Sequence, residues 1–289
     1  MNFSATSIGH AAWQTWSHDQ PANAIGITSR GLFIRAADRV VFVSFETQRG
    51  PLTITLGRSI EELRALHVGA AAVFANNRLI FPTTKITIAA SPEVVWQAPS
   101  PLASPGPIDQ QLKTVQQIAS LIVAREPDRG FSPLLAPFLD LPFSGPLSSD
   151  HTALLNILRI LQQAVRENDV PSAQTSIDRL LGRGDGLTPA GDDCVLGLLL
   201  MLNRWQANRD WSRLNRAAIN AAFQKTTTLS ANLIGCAAEG QADERLLNVV
   251  DGIVTGQPTI RECVDCALSW GNSSGIDALV GMAIAVSVI

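Results

Sequence analysis

The chain has 289 residues, 22 of them Lys or Arg and 25 Asp or Glu, which gives a net charge of -3. It is 46% hydrophobic and only 16% charged, so it can bury a large core, and no basic run offers a field for nucleic acid. The longest apolar run, Val195 to Leu202, is broken by Gly197 and too short for a bilayer, and Met1 to His10 lack the basic and apolar regions of a secretory leader; a cytoplasmic protein with no membrane partner is expected.

Residues 23–98 read as β structure. Short β-branched or aromatic runs at 23–28, 31–36, 39–46, 52–56, 71–74, 78–81, 85–89 and 93–97 alternate with turn residues. Asn76-Asn77 between two apolar runs predicts a two-residue hairpin turn. Ser59 to Leu66 predicts a short helix opened by a Ser59-x-x-Glu62 capping box. The close spacing predicts a small antiparallel barrel or sandwich over residues 1–103. Pro99, Pro101, Pro105, Gly106 and Pro107 then mark a linker.

From Ile108 the apolar period changes from two to about 3.6, so 108–289 is expected to be a helical domain and the whole chain α+β. A helix is predicted over 108–126. Residues 131–147, rich in Pro and Phe, read as an irregular interdomain or lid segment. Asp150 is expected to cap a helix to Val165, and Ser172 to open another to Leu181. Further helices are expected near 189–208, 210–224, 227–240, 243–255, 258–270 and 274–288. Cys194, Cys236, Cys263 and Cys266 are expected as free thiols. The C-x-x-C at 263–266 lies within a helical pattern and has no second half, and the scattered histidines give no metal-ligand spacing.

The chemistry concentrates at three helix entries. Residues 182–193 read Gly-Arg-Gly-Asp-Gly-Leu-Thr-Pro-Ala-Gly-Asp-Asp. Thr188 followed by Pro189 predicts an N-cap with proline at the first helical position. The flexible backbone at Gly184 and Gly186, with the helix dipole, suits a small anionic metabolite. The segment is neither a Walker A loop, which needs Lys-Ser/Thr where Asp192-Asp193 stand, nor a Rossmann fingerprint, because no strand precedes it.

Carboxylates beside an anion need an intermediary. Mg²⁺ bound by Asp192 and Asp193, an Arg183 fork, or a ligand NH₂ group would each serve. With the histidines all before residue 152, acid–base work falls to Asp192 or Asp193. Thr227, Thr228 and Ser230 at a second helix start, and Asn272, Ser273 and Ser274 at a third, offer hydroxyl and amide donors to the same ligand. Ser274-x-x-Asp277 predicts a capping box. The plain alternative at each place is helix capping alone.

Taken in order, Gly182-x-Gly184-x-Gly186-Leu187-Thr188-Pro189-x-Gly191-Asp192-Asp193 with Gly197, then Thr227-Thr228-x-Ser230, then Gly271-x-x-Ser274-Gly275-x-Asp277 with Gly281, resemble the AllH family. That resemblance covers about residues 182–281. It implies a subunit associated with oxamate carbamoyltransferase in allantoin nitrogen assimilation, converting oxalurate and phosphate to oxamate and carbamoyl phosphate together with other subunits. A non-catalytic scaffold or metabolite-sensing subunit is the alternative function.

Overall fold

A computed structural model describes residues 1–288 apart from 59, 102, 145 and 206–208. The expected capping residue Ser59, and the end of the helix predicted to 208, lie outside the described residues. The chain forms two compact units, Met1–Pro99 with Gln241–Glu244, and Ser100–Gly240 with Arg245–Ile289. As expected, strands dominate the N-terminal region and helices the remainder.

The first unit is one ten-stranded sheet: β1 (Asn2–Ser4), β2 (Ser7–Gly9), β3 (Gln20–Thr28), β4 (Gly31–Ala36), β5 (Arg39–Ser44), β6 (Thr53–Thr55), β7 (Ala71–Ala75), β8 (Arg78–Phe81), β9 (Ile86–Ala89) and β10 (Val95–Trp96), in the order β1-β9-β8-β7-β3-β4-β5-β6-β2-β10. Alternation sets its faces. Leu32, Ile34 and Ala36 of β4 face the core with Val41 and Val43 of β5, while Phe33 pairs with Phe42 on the opposite face, ring centroids 4.7 Å apart. The predicted Asn76-Asn77 turn joins β7 to β8, both residues at positive φ (51° and 56°), as a type I′ turn demands.

The sheet is mixed rather than purely antiparallel: β1–β9, β2–β10 and β5–β6 pair in parallel. Strands of two or three residues make or complete these pairs, and local turn signals do not encode such long-range partners. Helix α1 (His10–Trp16), unforeseen in the sequence, buries Ala11, Ala12, Thr15 and Trp16, with Trp16 tilted against Phe74 at 5.5 Å. The short helix predicted over 59–66 appears as the four-residue α2 (Glu61–Arg64).

The second unit contains α3 (Ile108–Arg125), α4 (Ser132–Phe138), α5 (Ser149–Glu167), α6 (Val170–Leu180), α7 (Ala190–Trp205), α8 (Ser212–Lys225), α9 (Thr228–Ala237), α10, counted from Glu244 to Thr255, α11 (Ile260–Ser269) and α12 (Ser274–Val286). Three local expectations are corrected here. The segment expected to be irregular forms α4, whose Leu134, Leu135 and Phe138 are buried. Ser148, not Asp150, caps α5, its hydroxyl accepting from the His151 N–H at 3.0 Å. Asp169, not Ser172, caps α6, accepting from the Ser172 N–H at 3.2 Å.

Beyond their first turns, α7 as far as Leu202 and the whole of α12 are apolar, and every residue of α12 and of Gly191–Leu202 in α7 is buried, the pattern of central helices. They cross at glycines. A Cβ on Gly197 would lie 1.9 Å from the Ala278 carbonyl oxygen, and one on Gly281 would lie 1.9 Å from the Cys194 carbonyl oxygen. Two glycines thus permit backbone-to-backbone contact in both directions.

Candidate functional site

The crossing of α7 and α12 brings the first and third motifs together. Thr188 and Ser274 share a hydroxyl–hydroxyl hydrogen bond of 3.1 Å. Asp193 and Asp277 lie beneath them at 1% and 0% exposure, and each leaves its Oδ2 atom without a hydrogen-bond partner among the described residues. A buried acceptor without a donor is costly for a neutral group and more so for a charge.

Burial raises the Asp193 carboxyl well above the ordinary carboxylate range, the Asp277 charge raises it further, and Ser274 and Thr188 partly oppose the shift. Asp277 is pushed up to about 6 by burial, with the Phe131 amide, Ser273 and Arg129 pulling the other way. Two mutually repelling buried acids favour a state in which one keeps its proton.

The glycine-rich loop differs from its expected form in several details. Helix α7 begins at Ala190, and the Pro189 carbonyl accepts from the N–H groups of Asp192 and Asp193 at 2.9 and 3.2 Å. The predicted cap Thr188 therefore lies one residue too early, and its hydroxyl goes to Ser274 instead. The Gly191 N–H donates to the Arg183 carbonyl at 2.9 Å, so three amides at the helix entry are used internally. The amides of Gly184 to Thr188 make no hydrogen bond to a described residue, and Gly184, Asp185, Gly186 and Leu187 are exposed. Gly182, Gly184 and Gly186 sit at φ of 74°, 108° and 96°, where side chains are strained. Gly184 also lies so near the helix entry that a Cβ would stand 2.8 Å from the Ala190 nitrogen.

Asp192 does a different job from Asp193. Its Oδ1 accepts the Gly182 N–H at 2.7 Å and its Oδ2 accepts the Thr226 hydroxyl, tying the first residue of the loop and the end of α8 to the start of α7. Burial still raises its carboxyl above the usual value, against hydrogen bonds from Thr226, Gly182 and Ser230. Arg183 pairs with Asp150 at 2.8 Å.

In the second motif, Thr227 caps α9 by accepting from the Ser230 N–H at 3.1 Å, and its own hydroxyl donates to the Leu187 carbonyl at 2.7 Å. The Ser230 hydroxyl reaches the same carbonyl at 3.4 Å, while Thr228 is simply the first residue of α9. This motif therefore fixes the far side of the loop. The capping box expected at Ser274-x-x-Asp277 does not form. Ser273 stands at the cap without a side-chain cap bond, and Asp277 accepts from a more distant donor.

That donor is the Phe131 N–H, 2.6 Å from Asp277 Oδ1. Sequence reasoning missed it, and with it Gly130, whose added Cβ would meet Asp277 Oδ1 at 2.3 Å, and Arg129, which donates to Asn272 Oδ1 at 3.1 Å. In the sequence Asp277 figures as a capping-box partner and a motif position, not as a candidate site residue. The signal available was the Arg129-Gly130-Phe131 step at the head of a Pro- and Phe-rich segment, but nothing local named its partner. The neighbouring Ser132, buried with an unpartnered hydroxyl, lines a groove of about 390 Å³ with Pro127, Phe143 and His151.

Elsewhere the chemistry is quiet. Cys263 is buried in α11 and its thiol is pushed up to about 12, chiefly by burial. None of the four cysteines forms a disulfide. Among the described residues no group of three or more His, Cys, Asp or Glu side chains is placed to hold a metal ion, and no helix is long and apolar enough to cross a membrane.

Fold and site together define an α+β protein whose helical unit carries a buried acid pair beneath a glycine-rich helix entry. Residues 180–286 match the family model described as oxamate carbamoyltransferase subunit AllH, in agreement with the resemblance carried by the three motifs. No solved structure matches the chain.

Proposed function

We propose that this chain is an AllH-like subunit of a carbamoyltransferase that handles a small ureido acid, with Thr188, Asp193, Ser274 and Asp277 at the centre of its site. The carrying observation is the pair of buried carboxyls, each with one oxygen unpartnered, at the meeting of two motif helices. The open amides of 184–188 suit the carboxylate end of such a ligand, and the unpaired carboxyl oxygens suit its N–H groups.

In the oxalurate reaction a phosphate oxygen attacks the ureido carbonyl, and the bond from that carbon to the nitrogen retained by oxamate breaks. The departing nitrogen gains a proton and phosphate loses one. One protonated and one ionised carboxyl can make that exchange between them. Other subunits are expected to complete the enzyme, with a small anionic metabolite as the ligand.

Full complex from co-expression with its partner subunits would be assayed for carbamoyl phosphate formed from oxalurate and phosphate. Asp193→Asn and Asp277→Asn should each abolish turnover while the complex stays assembled. Full activity in both variants would overturn the catalytic assignment. The depth of the acid pair favours one rival, a non-catalytic scaffold or sensing subunit, and that rival predicts turnover unchanged by either substitution.

A further inference from the structure

We propose that residues 129–131, outside the stretch that matches the family, form a positioning element of this site: the Phe131 amide fixes one oxygen of Asp277 and Arg129 holds the turn that leads into α12. The inference rests on the reading of Asp277 as a working acid. Its geometry is independent of that reading. Phe131 N–H meets Asp277 Oδ1 at 2.6 Å, leaving Oδ2 as the unpartnered atom. Gly130 packs directly on the carboxyl at φ 53°, where any side chain would strike it within 2.3 Å.

Gly130 is exposed, while the carboxyl it packs on is fully buried. Arg129 donates through Nη2 to Asn272 at 3.1 Å and approaches Glu126 at 3.6 Å through Nη1. It therefore grips the 271–277 turn and brings a positive charge to an otherwise acidic centre. The groups facing Asp277 are Asp193 and Cys194 from α7 and Arg129 from the segment after α3, with Glu126 behind it. Loss of the guanidinium removes the cation among them and should make the Asp277 proton harder to lose.

The test uses the full chain with its Asp carboxyl carbons labelled with ¹³C, the Asp277 signal being assigned from the spectrum of Asp277→Asn. Arg129→Gln should raise the Asp277 titration midpoint by about half a unit or more, and Arg129→Lys should restore it. In the assembled enzyme the acid limb of the pH–rate profile should move by the same amount. An unmoved midpoint in Arg129→Gln, or a moved midpoint that the rate profile ignores, would overturn the proposal. If the wild-type complex does not turn over oxalurate, the proposed reaction fails, and the carboxyl titration still decides the placement of Arg129 on its own.

Discussion

Replacing Asp277 by Asn should make the protein more stable at alkaline pH, although it alters a fully buried polar residue. The native carboxyl is raised from 3.8 to about 6, a difference of about 3 kcal/mol at 1.36 kcal/mol per unit. The folded state holds this proton more tightly than the unfolded chain. The associated stability is therefore present below pH 4 and is lost as pH rises through about 6. Asp193 is shifted in the same direction and adds to the loss.

Asn at 277 keeps an oxygen for the Phe131 amide, carries no charge, and places an N–H donor beside Asp193. Thermal unfolding followed by circular dichroism at pH 5, 6.5 and 8 should show a flatter pH dependence than wild type. At pH 8 the Tm should rise by roughly 6–12 °C, from about 2–4 °C per kcal/mol for a unit of this size. An unchanged slope, with a Tm lowered equally at all three pH values, would refute the assignment of a costly buried charge to this position.

Other outcomes follow from the same contacts. Gly197→Ala should lower stability by about 3 kcal/mol or more, because its methyl group meets backbone at 1.9 Å and not a yielding side chain; denaturant unfolding measures it. Asp192→Ala removes the acceptor of the Gly182 amide and the Thr226 hydroxyl. It should cost about 1–3 kcal/mol and speed tryptic cleavage after Arg183, with Asp192→Asn closer to wild type. Ser274→Ala breaks the bond to Thr188 and withdraws a hydroxyl from Asp193; it should raise the Asp193 midpoint in a carboxyl titration. Under native conditions at pH 8 a maleimide should label Cys266 and spare Cys194 and Cys263, which are fully buried with raised thiols; equal labelling would contradict that burial.

Much of the fold could be read locally because its causes are local. The runs at 31–36 and 78–81 reappear unchanged as β4 and β8, and the two asparagines between β7 and β8 adopt the left-handed backbone their turn requires. What escaped was set by distant partners. β1 and β2, three residues each, are set by pairing with β9, β6 and β10 far along the chain, and α1 is held by burying Trp16 against Phe74. Thr188 and Ser274 both looked like caps, yet each hydroxyl turns to the other across 86 positions of sequence. Asp277 had the spacing of a capping box, and a backbone amide 146 positions away claimed it instead. The three motifs were visible as candidate site segments; that Asp192 ties down the loop while Asp193 faces Asp277 depends on which way successive residues of α7 point.

The glycine contacts of α7 with α12 limit where this protein can yield. With main chain resting on main chain at Gly197 and Gly281, the two helices have no side-chain cushion across which to slide. Their leading ends, and the hydroxyl-linked acids at those ends, must travel as one block. A ligand of the proposed kind would therefore reach the acids past the glycine loop, whose amides at 184–188 make no hydrogen bond to a described residue, or past the exposed turn at Gly130.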